Sequence, residues 1–453
     1  MRFKKTLYTG MALTVLAGCT DLNVPNFNDP SIEDLTGNPT ATSVISAAQN
    51  LMNIARGNTS GSVMYFGVWG REAYDLRPEE PRTTTDRLIG PLDPVNGGAF
   101  WGGEYTDIKN VQVLLDALDV VEGMSDQEKE AIRGFAKTVA AEAFWTIIVA
   151  HTTFGAASDP ADDPGQELAP IVSEGEIYTR IFQLLDEGQA HLQAGGSAFP
   201  FTLTSGYAGF NTPGTFIQLN RALKARYHKY RGEWQAASDA LAASFVDAGA
   251  PLDLGVHHNY STNPGDAANP FFSVASHYAH PRYRADAQLK GDGTLDDRAL
   301  SNTVVQGDVF SLLGIDVTER YSVYPAQDSP LPWILNDELI LLRAESQLGL
   351  GNRGPAIADV NVVRQAYGLD PFVDPGNDND VLTEILYNKF MSLTLRGGYT
   401  YFDARQYDRL DQLPRARADH RVFPQLPFPR NECLARDNLG TGDGEPCGTI
   451  FGS

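Results

Sequence analysis

Two clusters in this sequence set flat aromatic rings beside hydrogen-bonding groups at short spacing. The first is Trp69, Arg71, Tyr74 and Asp75, in a Gly-rich segment, and the second is Phe271, Tyr278, Arg282 and Tyr283. A ring offers an apolar surface to the C–H face of a pyranose, and a neighbouring guanidinium, amide or carboxylate meets its hydroxyls, so these clusters carry the chemistry of sugar recognition. Large aromatics are mostly buried whatever a protein does, so every such ring also has a core reading. Trp101, Trp145 and Trp234, at helical spacing, are assigned to the core.

Residues suited to turnover are fewer. A glycoside hydrolase needs two carboxylates roughly 5 to 10 Å apart. Pairs such as Asp296-Asp297 and Asp162-Asp163 are easily found among 57 acidic residues and read as solvated loops. His257, His258, His277 and His280 have no HExxH or CxxC framework around them, and Gly291-Asp292-Gly293 departs from calcium-loop spacing and reads as a turn. No GxSxG, Walker or GxGxxG element occurs. The expectation is binding without turnover and without a cofactor or metal. A surface glycoside hydrolase and a helical-repeat scaffold that binds nothing are the alternatives.

The amino end carries a different chemistry. Arg2, Lys4 and Lys5 precede a short apolar run, Leu7 to Val15, and Leu16-Ala17-Gly18 leads into Cys19. A run this short does not span a bilayer, which takes about 20 residues. It reads as a cleaved signal peptide, residues 1–18, that resembles a bacterial lipoprotein signal. The resemblance implies lipid on the Cys19 thiol and an acyl group on its freed amine, followed by a flexible tether, 19–30. Several acyl chains together make a lasting anchor where one holds only marginally.

With 57 acidic against 35 basic residues the net charge is -22, which repels phosphate backbones and argues against a nucleic-acid partner. No second apolar run approaches spanning length, so the membrane is touched through the lipid alone. The chain has no linker, low-complexity tract or charge block on which to divide it, and one large domain over 31–453 is expected. Cys433 and Cys447 remain as a close pair in an exported chain, where disulfides persist, and are expected to be bonded in a tail spanning 431–453.

The elements that must position these residues are mostly helical. Ile108, Val111, Leu115 and Leu118 share a face, and capping boxes at Ser125/Glu128 and Ser173/Glu176 open two further helices. Two antiparallel helix pairs follow from periodicity and turn residues. One runs through Phe216, Leu219, Leu223 and Tyr230, turns at Arg231-Gly232-Glu233, and returns through Trp234, Ala237, Leu241 and Phe245. The other turns at Gly351 to Gly354, with Pro355 at the first helical position. Both look like tetratricopeptide-type hairpins. Between them, about 247–332, aromatics without helical spacing and several turn dipeptides predict a long, loop-rich insert of the kind where binding residues collect.

Several motifs then occur in a particular order. Trp101, Tyr105, Ile108 and Asn110 lie early, and an Ala- and aromatic-rich helix ends at Phe154-Gly155. The closing segments are Ile334-Leu335-Asn336-Asp337-Glu338-Leu339 with Arg343-Ala344-Glu345, Asn361 with Arg364, Arg396-Gly397-Gly398 with Tyr401-Phe402-Asp403 and Arg405, and Phe423-Pro424-Gln425-Leu426-Pro427. Together, across essentially the whole mature chain, these resemble the SusD/RagB family. The resemblance implies an all-α, mainly helical fold with tetratricopeptide-like pairs supporting a loop-rich face. It also implies a lipid-anchored outer-membrane protein facing the cell exterior, which captures oligosaccharide or peptide and delivers it to a SusC-like TonB-dependent transporter. Two positions depart from the family pattern: Arg396-Gly397 stands where Glu-Gly is common, and Gly155-Ala156 where Gly-Asp is usual. Asp403 and Arg405 suit a buried or helix-end ion pair better than a ligand contact.

Overall fold

Hydroxyl side chains decide where the main helices begin. In the computed structural model, which describes residues 32–80, 82–160, 168–272 and 277–453, helix α1 spans Ala41–Trp69 and is capped by Thr40, whose hydroxyl accepts from the Ser43 N–H. Helix α2 (Gly102–Val120) leads to α3 (Asp126–His151) and α4 (Glu174–Ala194). Both anticipated capping boxes open these last two helices, with the Glu128 and Glu176 carboxylates accepting from the Ser125 and Ser173 backbone N–H groups at 2.8 and 3.0 Å. Such reciprocal caps satisfy donors that a helix end otherwise leaves orphaned. The signal segment, Cys19, the tether and Asp162-Asp163 lie outside the described residues. Among the described residues no helix is long and apolar enough to cross a membrane.

Both expected helix pairs form. Helix α5 (Pro213–Tyr230) turns at Arg231 to Glu233 into α6 (Trp234–Ala242), and α7 (Asn336–Gly349) turns into α8 (Arg353–Ala366). Asn352 caps α8, so Pro355 occupies the third helical position and not the first. It is tolerated there because the first N–H groups of a helix have no intrahelical acceptor to lose. Trp234 is half-buried, not core. It lies where α6 crosses α7, and a Cβ on Gly349 would stand 2.5 Å from its ring, so only glycine lets the two helices meet.

Helix α9 (Asp378–Leu393) and α10 (Tyr399–Gln406) complete the scaffold. Four buried charges from four helices meet in its centre. Lys229 of α5 lies 2.7 Å from Glu345 of α7 and 2.5 Å from Asp403 of α10, and Lys389 of α9 is 2.7 Å from each carboxylate. Burial alone would raise the Asp403 pKa, but the two ammonium groups outweigh it and hold the carboxyl below its usual range. Arg405 is not the partner of Asp403. It lies over the Tyr401 and Phe402 rings and donates to the Pro424 carbonyl.

The insert is more ordered than loops alone. Strands β1 (Ala73–Asp75), β2 (His277–Ala279), β3 (Thr303–Leu312) and β4 (Ile315–Tyr321) form an antiparallel sheet in the order β1-β2-β4-β3. The β3–β4 hairpin is local and rich in β-branched residues, and Leu313 and Gly314 at its tip both have positive φ. Strands β1 and β2 are three residues each and pair across about two hundred positions, Tyr74 opposite Tyr278, which no local pattern signals.

The helical core also holds a carboxyl without an ionic partner. Glu142 of α3 accepts from Trp333 Nε1 at 2.7 Å and Thr59 Oγ1 at 3.3 Å, and burial pushes its pKa up to about 8. The folded chain therefore keeps Glu142 protonated from about pH 4.5 to 8 while the unfolded chain ionises, so stability falls as pH rises through that window. Glu142→Gln removes the titration. It is expected to stabilise the protein on the order of 2–3 kcal/mol at pH 7 and to do nothing near pH 4, read from denaturant midpoints at the two pH values.

Candidate functional site

The segment leaving α1 builds a groove above itself. Gly70 ends the helix where a Cβ would stand 2.8 Å from the Tyr401 backbone nitrogen, and Arg71 turns the chain at φ 58° into β1. Asp75, at the end of β1, is buried and takes both Arg77 N–H groups at 2.9 and 2.8 Å, while Arg87 Nη1 lies 3.8 Å away. One carboxylate thus fixes two guanidinium groups. Arg87 also lies over the Tyr65 ring, 4.6 Å from its centroid, and donates to the Met64 carbonyl at 3.1 Å. Charge-assisted and cation–π contacts of this kind hold long side chains in one orientation.

The groove encloses about 350 Å³ and is lined by Tyr65, Arg77, Glu80, Arg82, Asp86, Arg87 and Asn96. Asn96 is set by Asp93, whose carboxylate caps the turn by accepting from the Val95 and Asn96 N–H groups, each at 2.8 Å. A second cavity of about 400 Å³ shares Asn96 and continues between residues 94–99 and Pro429 to Asn431. That wall is tied down: Arg430 N donates to the Pro94 carbonyl at 3.0 Å, and Trp101 Nε1 donates to Glu432 at 3.2 Å. Cys433, on helix α11 (Arg430–Ala435), is bonded to Cys447 with Cα atoms 5.7 Å apart, as the sequence led one to expect.

The electrostatics of the first cavity are balanced. Arg77 and Arg87 face Asp75, Arg82 pairs with Glu80 at 2.5 Å, and Asp86 adds a further acid whose pKa burial raises. The Tyr65 hydroxyl is buried without a hydrogen-bond partner among the described residues, and burial, only partly opposed by Arg87, raises its pKa well above the ordinary range. The surface is rich in donors and acceptors and has little net charge. Such a surface suits a ligand with many hydroxyls.

The anticipated clusters lie beneath this surface. Trp69 is buried, stacked on Phe423 at 5.6 Å and edge-on to Tyr65 at 5.2 Å. Arg71 is fully buried and spends its N–H groups on the carbonyls of Val68, Trp69, Pro414 and Arg421. His280 Nδ1 accepts from the Arg282 backbone N–H, which leaves Nε2 to donate to the Tyr74 hydroxyl at 2.9 Å. Asp75 reaches the groove only from below, through Arg77 and Arg87. Tyr74 and Tyr278 are cross-strand partners, so the sheet does join the two clusters, but as a core.

The second cluster is likewise packed. Tyr278 stacks on Phe310 at 4.7 Å, Phe271 packs tilted against Tyr324 at 5.6 Å, and the Tyr283 hydroxyl donates to the Met391 carbonyl at 2.6 Å. None of these rings offers a free face, because the apolar area that suits a sugar suits the core better still. Arg282 lies over Phe390 at 4.3 Å, pairs with Asp286 at 3.1 Å and lines a separate cavity beside α9. His258 is buried against Trp333 while His280 packs on Tyr74, and Asp296 is buried on Arg298 and not solvated. No group of three metal-ligating side chains occurs among the described residues. Sequence reading passed over Arg77, Arg82, Arg87 and Asn96. The available signal was three arginines interleaved with Glu79, Glu80 and Asp86 in a Pro-flanked stretch without periodicity.

No family profile matches the chain, and no curated protein does. Solved structures do match. A laminarin-binding SusD-like protein superposes at TM-score 0.63 with 14% identity, covering 87% of this chain and 98% of its own. A SusD-like carbohydrate-binding protein from Bacteroides fragilis NCTC 9343 gives 0.64 with 13% identity over 81% and 87%. NanU of B. fragilis gives 0.62 with 13% identity over 91% and 98%. The fold is SusD-like. The match spans 87–98% of the length of these proteins.

The Cys433–Cys447 bond closes the chain just beyond the 429–431 wall of the groove. The separation of 14 residues corresponds to about 3 kcal/mol in the chain-entropy account. Replacing both cysteines by serine is expected to lower stability by about that amount, read as a shift in urea midpoint at constant slope.

Proposed function

We propose that this protein is a surface capture lipoprotein that holds a neutral oligosaccharide in the groove between Tyr65 and Asn431. It passes the ligand to a SusC-like TonB-dependent outer-membrane transporter while lipid on Cys19 keeps it at the membrane. The observation that carries the reading is the groove itself, in which each guanidinium already faces a carboxylate and many donors and acceptors remain for hydroxyls. A hydroxyl-rich ligand with little charge uses such a surface without displacing the ion pairs, whereas a polyanion would compete with Asp75, Glu80 and Asp86 for the same arginines. The shared fold with proteins whose names state laminarin or carbohydrate binding supports the choice of glycan over peptide.

Capture without turnover also fits the acids in the groove. Glu80 is held by Arg82, and Asp75 lies buried under Arg77 and Arg87, so Asp86, whose pKa burial raises, lacks the second free carboxyl that glycosidic cleavage requires. Removal of the signal and lipidation of Cys19 would leave residues 20–30 as a leash. The cap could then swing over a transporter without diffusing away.

Affinity electrophoresis against neutral and acidic polysaccharides tests this. The wild type is expected to be retarded by a neutral glycan and to release no smaller products. Asn96→Ala and Arg82→Ala are each expected to weaken binding by on the order of 1–2 kcal/mol, while Trp69→Phe, beneath the groove, leaves it unchanged. Retardation by no glycan would favour the scaffold reading.

A further inference from the structure

A further cavity lies apart from the groove, between α9, α10 and the turn that follows them. It encloses about 240 Å³. That is below the roughly 300–1,000 Å³ of pockets for drug-sized ligands, so it suits a single ring and not a chain of them. Leu386, Phe390 and Leu413 give it an apolar wall, and polar groups converge from the other sides.

The charges around it do not balance. Arg282 is neutralised by Asp286 at 3.1 Å, and Asp403 is held by the ammonium groups of Lys229 and Lys389. Arg409 has no carboxylate partner among the described residues. Its Nη1 donates to the Thr383 hydroxyl at 3.1 Å and its Nη2 to the Asn379 side-chain Oδ1 at 2.8 Å. A guanidinium has five N–H donors, so these two neutral contacts orient the group and leave donors free. Asp286 and Asp403 also line the pocket, but each is already paired. In a chain of net charge -22, Arg409 is thus a fixed arginine facing the pocket with no acid of its own among the described residues. The Gln412 side chain lines the same cavity, is exposed, and makes no hydrogen bond among the described residues.

We propose that this cavity is a second ligand site that takes one carboxylate-bearing ring of the sugar-acid class. The carboxylate lies against Arg409, the ring against Leu386 and Leu413, and hydroxyls reach Gln412 and Thr400. Guanidinium and carboxylate are matched in shape as well as charge, and the apolar wall accounts for a ring in place of a bare anion. The site does not rest on the groove reading, since the two cavities share no residue.

Isothermal titration of the full mature chain with D-galacturonate, D-galactose and acetate tests the proposal. Galacturonate is expected to bind in the millimolar range or tighter, with galactose and acetate each at least about tenfold weaker. Arg409→Met and Gln412→Glu are each expected to weaken galacturonate at least about tenfold, the loss of one charge-assisted hydrogen bond or its replacement by repulsion. Gln412 is exposed, so that variant reports on the pocket even if Arg409→Met unfolds. Asn96→Ala, in the groove, is expected to leave galacturonate binding unchanged. Equal affinity for galactose or acetate, undiminished binding in Gln412→Glu, loss of binding in Asn96→Ala, or no saturable binding of galacturonate would each overturn the assignment.

Discussion

Six residues, Gly70 to Asp75, pass through the middle of this protein with Arg71 and Glu72 buried side by side and no ion pair between them among the described residues. Arg71 is held by four backbone carbonyls. Glu72 accepts from the N–H groups of Leu395 and Thr400 at 2.9 and 3.2 Å, while its own carbonyl accepts from the Tyr321 hydroxyl and the His280 N–H. Burying an ion without partners is prohibitive, so these backbone groups must be in place together. Apart from Val68 and Trp69 at the end of α1, they come from the insert and the closing segments, which binds distant parts of the sequence to one short peptide.

That constraint explains why the candidate groove sits where it does. The chain emerges from the centre at Asp75, whose carboxylate faces outward just far enough to take Arg77 and Arg87. The groove floor is thus anchored to the best-buried stretch of the molecule, and its far wall is held by Arg430 on Pro94 and by the Cys433–Cys447 bond. A site built this way keeps its geometry before a ligand arrives, which lowers the ordering cost of binding. The quartet of Lys229, Glu345, Lys389 and Asp403 plays the corresponding part in the helical half, fixing four helices at one point.

What could be read from the sequence was local in origin. Ser125/Glu128 and Ser173/Glu176 announce their helices because a cap and its partner are three residues apart, and the α5–α6 and α7–α8 turns follow from glycine and periodicity. The sheet escaped because β1 and β2 are too short to show alternation and lie far apart in the chain. Trp69, Tyr74, Tyr278 and Tyr283 are unusual concentrations of ring and polar atom, but the three tyrosine hydroxyls serve neighbours in the core and the Trp69 ring packs on Phe423. The groove's own residues, Arg82, Arg87 and Asn96, carry no pattern of their own. Only the tertiary position of Asp75, Tyr65 and Asp93 makes them converge. Asp403 was legible as a buried ion-pair residue, while its partners, more than a hundred positions away at Lys229 and near at Lys389, were not.

A crystal structure of the mature chain soaked or grown with a neutral oligosaccharide that it retains tests the account most directly. Sugar rings are expected in the cavity beside Tyr65, with hydroxyls within hydrogen-bond distance of Arg87 and Asn96 and the Arg77–Asp75 pair intact. Well-defined sugar elsewhere on the surface, with this groove empty, would contradict it.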